Sequence, residues 1–341
     1  MEAGKKFPNV IPIMFQMADG SSSRGSAVRV AIPGIETPLF MTSARYFEFN
    51  VMAMMDAKWR RADQYMIHPF YQLNLMDDVA FFTIPKAVGQ GGYPLYMGDL
   101  KTIPTQSLVS VGYGMMKDGS FPRQAFYAGN VIPTDFHSLK QHSEQLSNEA
   151  VGQSSGHTTL GDRGGPLLMR NTNGQYEVVA IVGFEKPETQ KSTWSLIDPH
   201  FIEAAVKVFG RKVTHQVALL DRTKEAEEYM LKKSGKTWDE LKESLQRIPA
   251  VQVRWGDAYY TGDHHKRFGI AQDYTKAFEW YEEAAKSDVY AALYNLAHMY
   301  ITGRGVKKDP SMAIELWVKL ARQGDADAKR TLQKLGIHVE L

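Results

Sequence analysis

Gly161-Asp162-Arg163-Gly164-Gly165-Pro166-Leu167 is the stretch on which the reading of the N-terminal half turns. A glycine-rich heptad is weak alone and takes its meaning from what surrounds it. From residue 7 to about residue 207 the chain consists of short β-rich runs, among them 27–32, 109–113, 126–132 and 177–184, broken by Gly, Pro, Asn and Asp turns such as Asp118-Gly119 and Asn173-Gly174. Many short strands with no long helix between them predict an antiparallel barrel or sandwich. Residues 201–209 read as a short closing helix.

The period changes near Gln216, and segments 223–234 and 238–246, rich in Glu and Lys, show helical spacing around a break at Gly235. Beyond Pro249 the chain repeats itself. Residues 273–286 lie over 309–322 at an offset of 36, placing Ala277 on Ala313, Tyr281 on Trp317 and Ala285 on Ala321. The preceding helices match at an offset of 41, Tyr259-Tyr260-Thr261-Gly262 over Tyr300-Ile301-Thr302-Gly303, so the first repeat carries five extra loop residues within 263–268. Asp309 followed by Pro310 is a helix start, the carboxylate capping free N–H groups and proline suiting the first turn, and Asp273 caps one repeat earlier.

With 341 residues, 43% hydrophobic and 23% charged, the chain is an ordinary globular composition long enough for two cores. Forty basic and 38 acidic residues leave a formal net charge of +2, which supplies no field for nucleic acid or anionic lipid. No cysteine is present, so disulfides, thiolate zinc sites and cysteine nucleophiles are excluded. No apolar run approaches the 18 or so residues of a membrane helix. The first residues lack the apolar core of a secretory signal, so the location reads as periplasmic or secreted if a leader was removed before Met1, and otherwise cytoplasmic.

The helical half resembles Sel1-type repeats, relatives of the tetratricopeptide class, on Leu296, Tyr300, Gly303-Arg304-Gly305-Val306, Asp309, Ala313, Trp317 and Ala321. The resemblance covers about 250–335, with 326–335 as a partial third unit. It implies protein–protein contacts, in adaptors, signalling proteins or immunity proteins, through a groove formed by stacked helices. Three domains are expected: 1–208 β-rich, 209–249 a helical linker or capping hairpin, and 250–341 repeats.

The β-rich half resembles the trypsin-like serine proteases, which carry Gly-Asp-Ser-Gly-Gly-Pro where this chain has 161–166. Met41-Thr42-Ser43-Ala44-Arg45 is similar to the segment that delivers the histidine after Thr-Ala-Ala. Ile67-His68-Pro69-Phe70-Tyr71 is similar to a stretch that precedes the aspartate segment, and Asp78-Val79-Ala80-Phe81-Phe82 to the aspartate segment itself. Val111-Gly112-Tyr113-Gly114 resembles the Gly-Trp-Gly strand, 179–184 the strand after the serine loop, and 194–202 the final strand and closing helix. The order histidine, aspartate, serine is that of the double-barrel family. The resemblance therefore implies a multidomain chain, an all-β double barrel followed by all-α repeats.

The chemistry departs from that pattern. Arg45 stands at the histidine position and Arg163 at the serine position, leaving Asp78 alone of the triad. A guanidinium stays charged in proteins and neither accepts a proton nor attacks a carbonyl. The expectation is a pseudoprotease whose Arg45, Asp78 and Arg163 form a polar cluster holding the former cleft together, Arg45 pairing with Asp78 in place of the imidazole. Gly161 and Arg163 mark the former oxyanion hole, crowded by the long side chain, and the resemblance places His157 as a pocket wall. Ser154, Ser155, His157 and Thr158 are the neighbours from which a substitute nucleophile would come.

No cofactor or metal is expected. His264-His265 reads as a solvated loop pair, His68 as structural and His298 as a packed or capped helix residue. Met52, Met54 and Met55, with Met66 beyond them, read as adaptable core or loop packing. The partner is another protein, bound through the degenerate cleft, the repeat groove or both, with an inhibitor or immunity role as a subtype. A serine-type hydrolase with a non-standard site, or a purely structural β half supporting binding by the repeats, are the alternatives.

Overall fold

The protein is described by a computed structural model over residues 7–16, 21–48, 50–55, 58–71, 78–85, 87, 91–98, 103, 108–114, 126–128, 131–132, 149–154, 163–186, 191–210, 219–262, 270–322 and 325–337. The chain divides into two compact units, Met1–Trp238 and Asp239–Leu341. The boundary falls just after the start of the second helix of the 223–246 pair, so the hairpin expected over 209–249 is shared between the units.

The first unit begins with β1 (Val10–Gln16), β2 (Ser22–Ala31) and β3 (Leu39–Thr42), then a 3-10 turn Ala44–Glu48. It continues through β4 (Asn50–Met55), β5 (Lys58–Arg61), β6 (Gln64–Ile67), β7 (Ala80–Thr83) and β8 (Tyr93–Pro94). A second set follows: β9 (Leu108–Gly112), β10 (Phe126–Ala128), β11 (Val131–Ile132), β12 (Glu149–Ser154), β13 (Pro166–Arg170), β14 (Tyr176–Lys186) and β15 (Lys191–Leu196), and β16 (Leu220–Asp221) comes last.

Among the described residues the first sheet runs β16-β6-β7-β3-β2-β1-β4-β5, with β8 beside β2, and the second runs β10-β9-β13-β14-β15-β12-β11. The ends β5 and β6 of the first path follow one another through Ala62 and Asp63, so the sheet curls round on itself. Alternation decides which face is inside. In β1, Val10, Ile13 and Phe15 are buried while Pro12 and Met14 point outward. In β3 and β7 every residue is buried, and Phe40 packs on Phe82 with ring centroids 5.4 Å apart. The second sheet closes over Leu108, Leu167, Val179, Val182 and the fully buried Trp194. Each large apolar side chain so enclosed stabilises the fold by about 1.5–3 kcal/mol.

Helix α1 (Pro199–Phe209) ends this β region, with Asp198 accepting from the His200 N–H and proline in the first turn, and buries Phe201, Ala204, Ala205, Val208 and Phe209. Helix α2 (Thr223–Ser234) stays with the first unit: Tyr229 and Lys233 both donate to Glu203 of α1, and Thr223 accepts the Ile67 N–H at 3.1 Å. It stops at Gly235, whose φ of 67° is left-handed.

The second unit comprises α3 (Trp238–Gln246) beyond its first residue, α4 (Pro249–Thr261), α5 (Tyr274–Ala285), α6 (Tyr290–Thr302), α7 (Pro310–Arg322) and α8 (Ala326–Lys334). The 36-residue offset is structural: Ala277 and Ala313 are both 0% exposed, and Tyr281 and Trp317 fill the same place at 2% and 7%. Asp273, Asp309 and Asp325 each accept backbone N–H groups at a helix start. Gly305, at φ 70°, is needed because a Cβ there would collide with the Tyr274 carbonyl.

Candidate functional site

Asp78 is 6% exposed immediately before β7, and three segments converge on it. Just past the end of β3, the Ser43 hydroxyl donates to its two carboxylate oxygens, 2.7 and 2.8 Å away. The backbone N–H of Arg45, in the following 3-10 turn, donates to Oδ1 at 3.1 Å. From β15, the Ser195 hydroxyl accepts the Asp78 N–H at 3.1 Å. Ser43 is itself fully buried.

Arg163 turns inward. Its Nε donates to the Gly183 carbonyl at 2.7 Å and lies 3.7 Å from Asp78 Oδ2, with 19% of the side chain exposed. Its carbonyl accepts from the Ser26 N–H and the Tyr46 hydroxyl, each at 3.0 Å, so the residue fastens β2, the 3-10 turn and β14 together. The next residue must be glycine: Gly164 has φ 78°, and a Cβ would collide with Thr42 Oγ1 and the Ser26 carbonyl. The loop geometry of the glycine-rich heptad is thus present around a cation.

The three positions 45, 78 and 163 are therefore brought together, with a division of labour the sequence did not display. Residue 45 reaches Asp78 by its backbone, and Arg163 brings the guanidinium. Ser43 and Ser195 escaped the sequence reading as partners of Asp78, although Ser43 stands within the quoted Met41–Arg45 motif where the family pattern has alanine. A hydroxyl beside a carboxylate position was the available signal. Gly161 and His157 lie outside the described residues, as do Ser155, Thr158 and the His264-His265 pair; Ser154 ends β12.

A second histidine–carboxylate pair is buried elsewhere. His68 is 1% exposed, its Nε2 is 3.1 Å from Asp198 Oδ2, and its Nδ1 accepts the Phe70 N–H at 3.2 Å. The proton therefore sits on Nε2, and the ring packs on Phe201 at 4.6 Å. Burial pushes the Asp198 carboxyl up, but hydrogen bonds from His68 and the His200 N–H outweigh it and hold the group below its ordinary value. This pair anchors α1.

In the repeats, the Tyr281 hydroxyl donates to Asp257 Oδ1 at 2.7 Å and Asn295 Nδ2 donates to the same oxygen at 3.2 Å, joining α5, α4 and α6. Burial first, then the Asp257 charge, pushes the Tyr281 phenol well above its usual value. Arg304, in the Gly-Arg-Gly-Val turn, donates to the Tyr260 hydroxyl at 2.6 Å and lies 5.4 Å over the Tyr274 ring. On α6, Tyr294 is 37% exposed and stacks on Tyr290 at 6.1 Å. His298 is exposed one turn later, not packed as its neighbours Ala297 and Met299 suggested. Among the described residues, no cluster of three or more His, Asp or Glu is placed to hold a metal, and no helix is long and apolar enough to cross a membrane.

Comparison with known proteins separates the two units. The Sel1 repeat family model matches residues 249–289 and 291–325. No curated protein sequence matches the chain. The active form of the Rv3671c protease from M. tuberculosis is similar at 17% identity, over 64% of this chain and 87% of that one, with a TM-score of 0.41. The protease Anisep from Arthrobacter nicotinovorans is similar at 13% identity, over 55% and 89%, with a TM-score of 0.39. HL collagenase is similar at 14% identity, over 61% and 95%, with a TM-score of 0.46. The chain is thus a β-rich unit resembling trypsin-like serine proteases in fold, followed by Sel1 repeats.

Proposed function

We propose that the chain is a catalytically inactive trypsin-like protein that binds another protein, acting as a scaffold or adaptor with its Sel1 repeats as the principal contact. The observation that carries this reading is the inward Arg163, 2.7 Å from the Gly183 carbonyl and 3.7 Å from Asp78, where the resemblance calls for an attacking hydroxyl and a proton-accepting ring. A guanidinium does neither. Loss of nucleophile or base from such a triad lowers turnover on the order of 10⁶-fold, about 8 kcal/mol of barrier.

The same geometry favours the repeats over the cleft, because Arg163 is engaged within the protein, whereas α6 presents Tyr294 and His298 outward. Inhibition or neutralisation of the bound protein is a subtype of this role. The test has two arms. Purified full-length protein treated with a fluorophosphonate serine probe and broad peptide and ester substrates should show neither labelling nor turnover; stoichiometric labelling refutes inactivity. Native pull-down with mass spectrometry should lose its partner on Tyr294→Asp, and a partner retained at full yield refutes the repeat contact.

A further inference from the structure

Antiparallel strands that face water on one side normally carry polar residues there. The outer face of β1, β4 and β5 does not. Cross-strand register places Arg24, Met14, Met52 and Arg61 in one row, and Met54 opposite Trp59 in the next. Opposed residues share a face. Since the intervening Ile13, Phe15, Val51 and Ala53 are all buried, this face is the outside of the sheet. Met14, Met52, Met54 and Trp59 remain half-exposed on it, and Arg61 is exposed.

Met66 belongs to the core at 0% exposure, so only part of the methionine cluster in the sequence is explained by packing. The rest forms an apolar patch with a charged end. Arg24 reaches across from β2 to within 6.0 Å of the Trp59 ring centroid, and Arg61, two residues along on the same face of β5, joins it there. Two guanidinium groups drawn to one end repel each other and favour a carboxylate between them. The unbranched, polarisable thioethers beside them adapt to apolar side chains of varied shape.

We propose that this face docks an acidic segment of a partner protein, an apolar side chain resting on Met14, Met52 and Met54 and an adjacent carboxylate held by Arg24 and Arg61 beside Trp59. A second copy of the same patch is disfavoured because it would oppose arginine to arginine. A lipid surface is disfavoured because two arginines contribute only about 2 kcal/mol of attraction to anionic headgroups. The surface is separate from positions 45, 78 and 163 and from the repeats, so its failure leaves the preceding proposal standing.

The test uses the full chain with methyl-labelled methionine and two fluorescent ten-residue peptides, one alternating Leu and Glu, the other Leu and Lys. The Leu/Glu peptide should shift the methyl resonances of Met14, Met52 and Met54, leave that of Met66 in place, and bind at least tenfold more tightly than the Leu/Lys peptide. The variant Arg24→Glu with Arg61→Glu, its fold checked by circular dichroism, should reverse that preference. Met52→Ser with Met54→Ser should weaken Leu/Glu binding at least fivefold and leave the charge preference in place. Equal affinity for both peptides, shifts confined to other methionines, an unaltered preference after charge reversal, or tighter binding to phosphatidylglycerol vesicles than to the peptide each overturns the proposal.

Discussion

Replacing Arg163 by methionine tests whether this side chain fastens the β-rich unit. Most of the apolar stem is kept and the guanidinium removed. At 3.7 Å from Asp78 and an effective dielectric near 20, the Coulomb attraction is about 4.5 kcal/mol before solvation. Desolvation of the two groups offsets much of it. The hydrogen bond to the Gly183 carbonyl, with a charged donor, contributes about 1.5–3 kcal/mol. A net loss of about 2–4 kcal/mol is expected, with Arg163→Lys intermediate because it retains the charge without the Nε geometry.

Hydrogen exchange resolved by mass spectrometry suits a chain of two units, where a single unfolding transition is not assured. The Gly164 and Val182 amides, bonded to the Val182 and Gly165 carbonyls at 2.8 Å each, should lose protection in parallel with the rest of the β-rich unit, and those of α4–α8 should not. A change below about 0.5 kcal/mol throughout the first unit refutes the assigned role of Arg163.

Three further outcomes follow from the geometry. Asp198 is held below its ordinary value, so its contribution is present above the normal carboxylate range and is lost as pH falls through the lowered value; Asp198→Ala should lose about 1–3 kcal/mol at pH 7 and flatten the acid limb of a stability–pH curve. Gly305→Ala drives a methyl into the Tyr274 carbonyl at a positive φ and should destabilise the repeats by about 2–4 kcal/mol, seen as an earlier loss of helical circular dichroism. Tyr281→Phe removes the phenol donor from Asp257 and should lose about 1–3 kcal/mol, whereas the same change at the exposed Tyr294 should be nearly neutral in a thermal melt.

What the sequence disclosed depended on how local the determining physics was. Helix limits such as Thr223–Ser234 and Trp238–Gln246 were legible because spacing, Gly235 and the caps act within a turn or two. The repeat offset was legible because Ala277 and Ala313 answer the same steric demand. The gathering of residues 43, 45, 78, 163, 183 and 195 was not. It depends on strands far apart in the chain, and no local pattern says whether an arginine at position 163 turns inward or outward. The outward methionines were misread for a related reason: alternation in β4 assigns Met52 and Met54 to one face, and only the pairing with β1 and β5 shows which face is wet.

The pairing of β16 with β6 has an evolutionary corollary. Leu220 and Arg222 bond backbone to backbone with Asp63 and Tyr65, Thr223 caps Ile67, and Trp238 lies 6.3 Å from Phe70. Recombination that severed the gene at the end of the closing helix would strip these partners from an interior strand. A shuffled module with a complete first sheet must therefore carry its helical tail through residue 238, and an ancestral fusion to solenoid units is expected to have its seam after that tail.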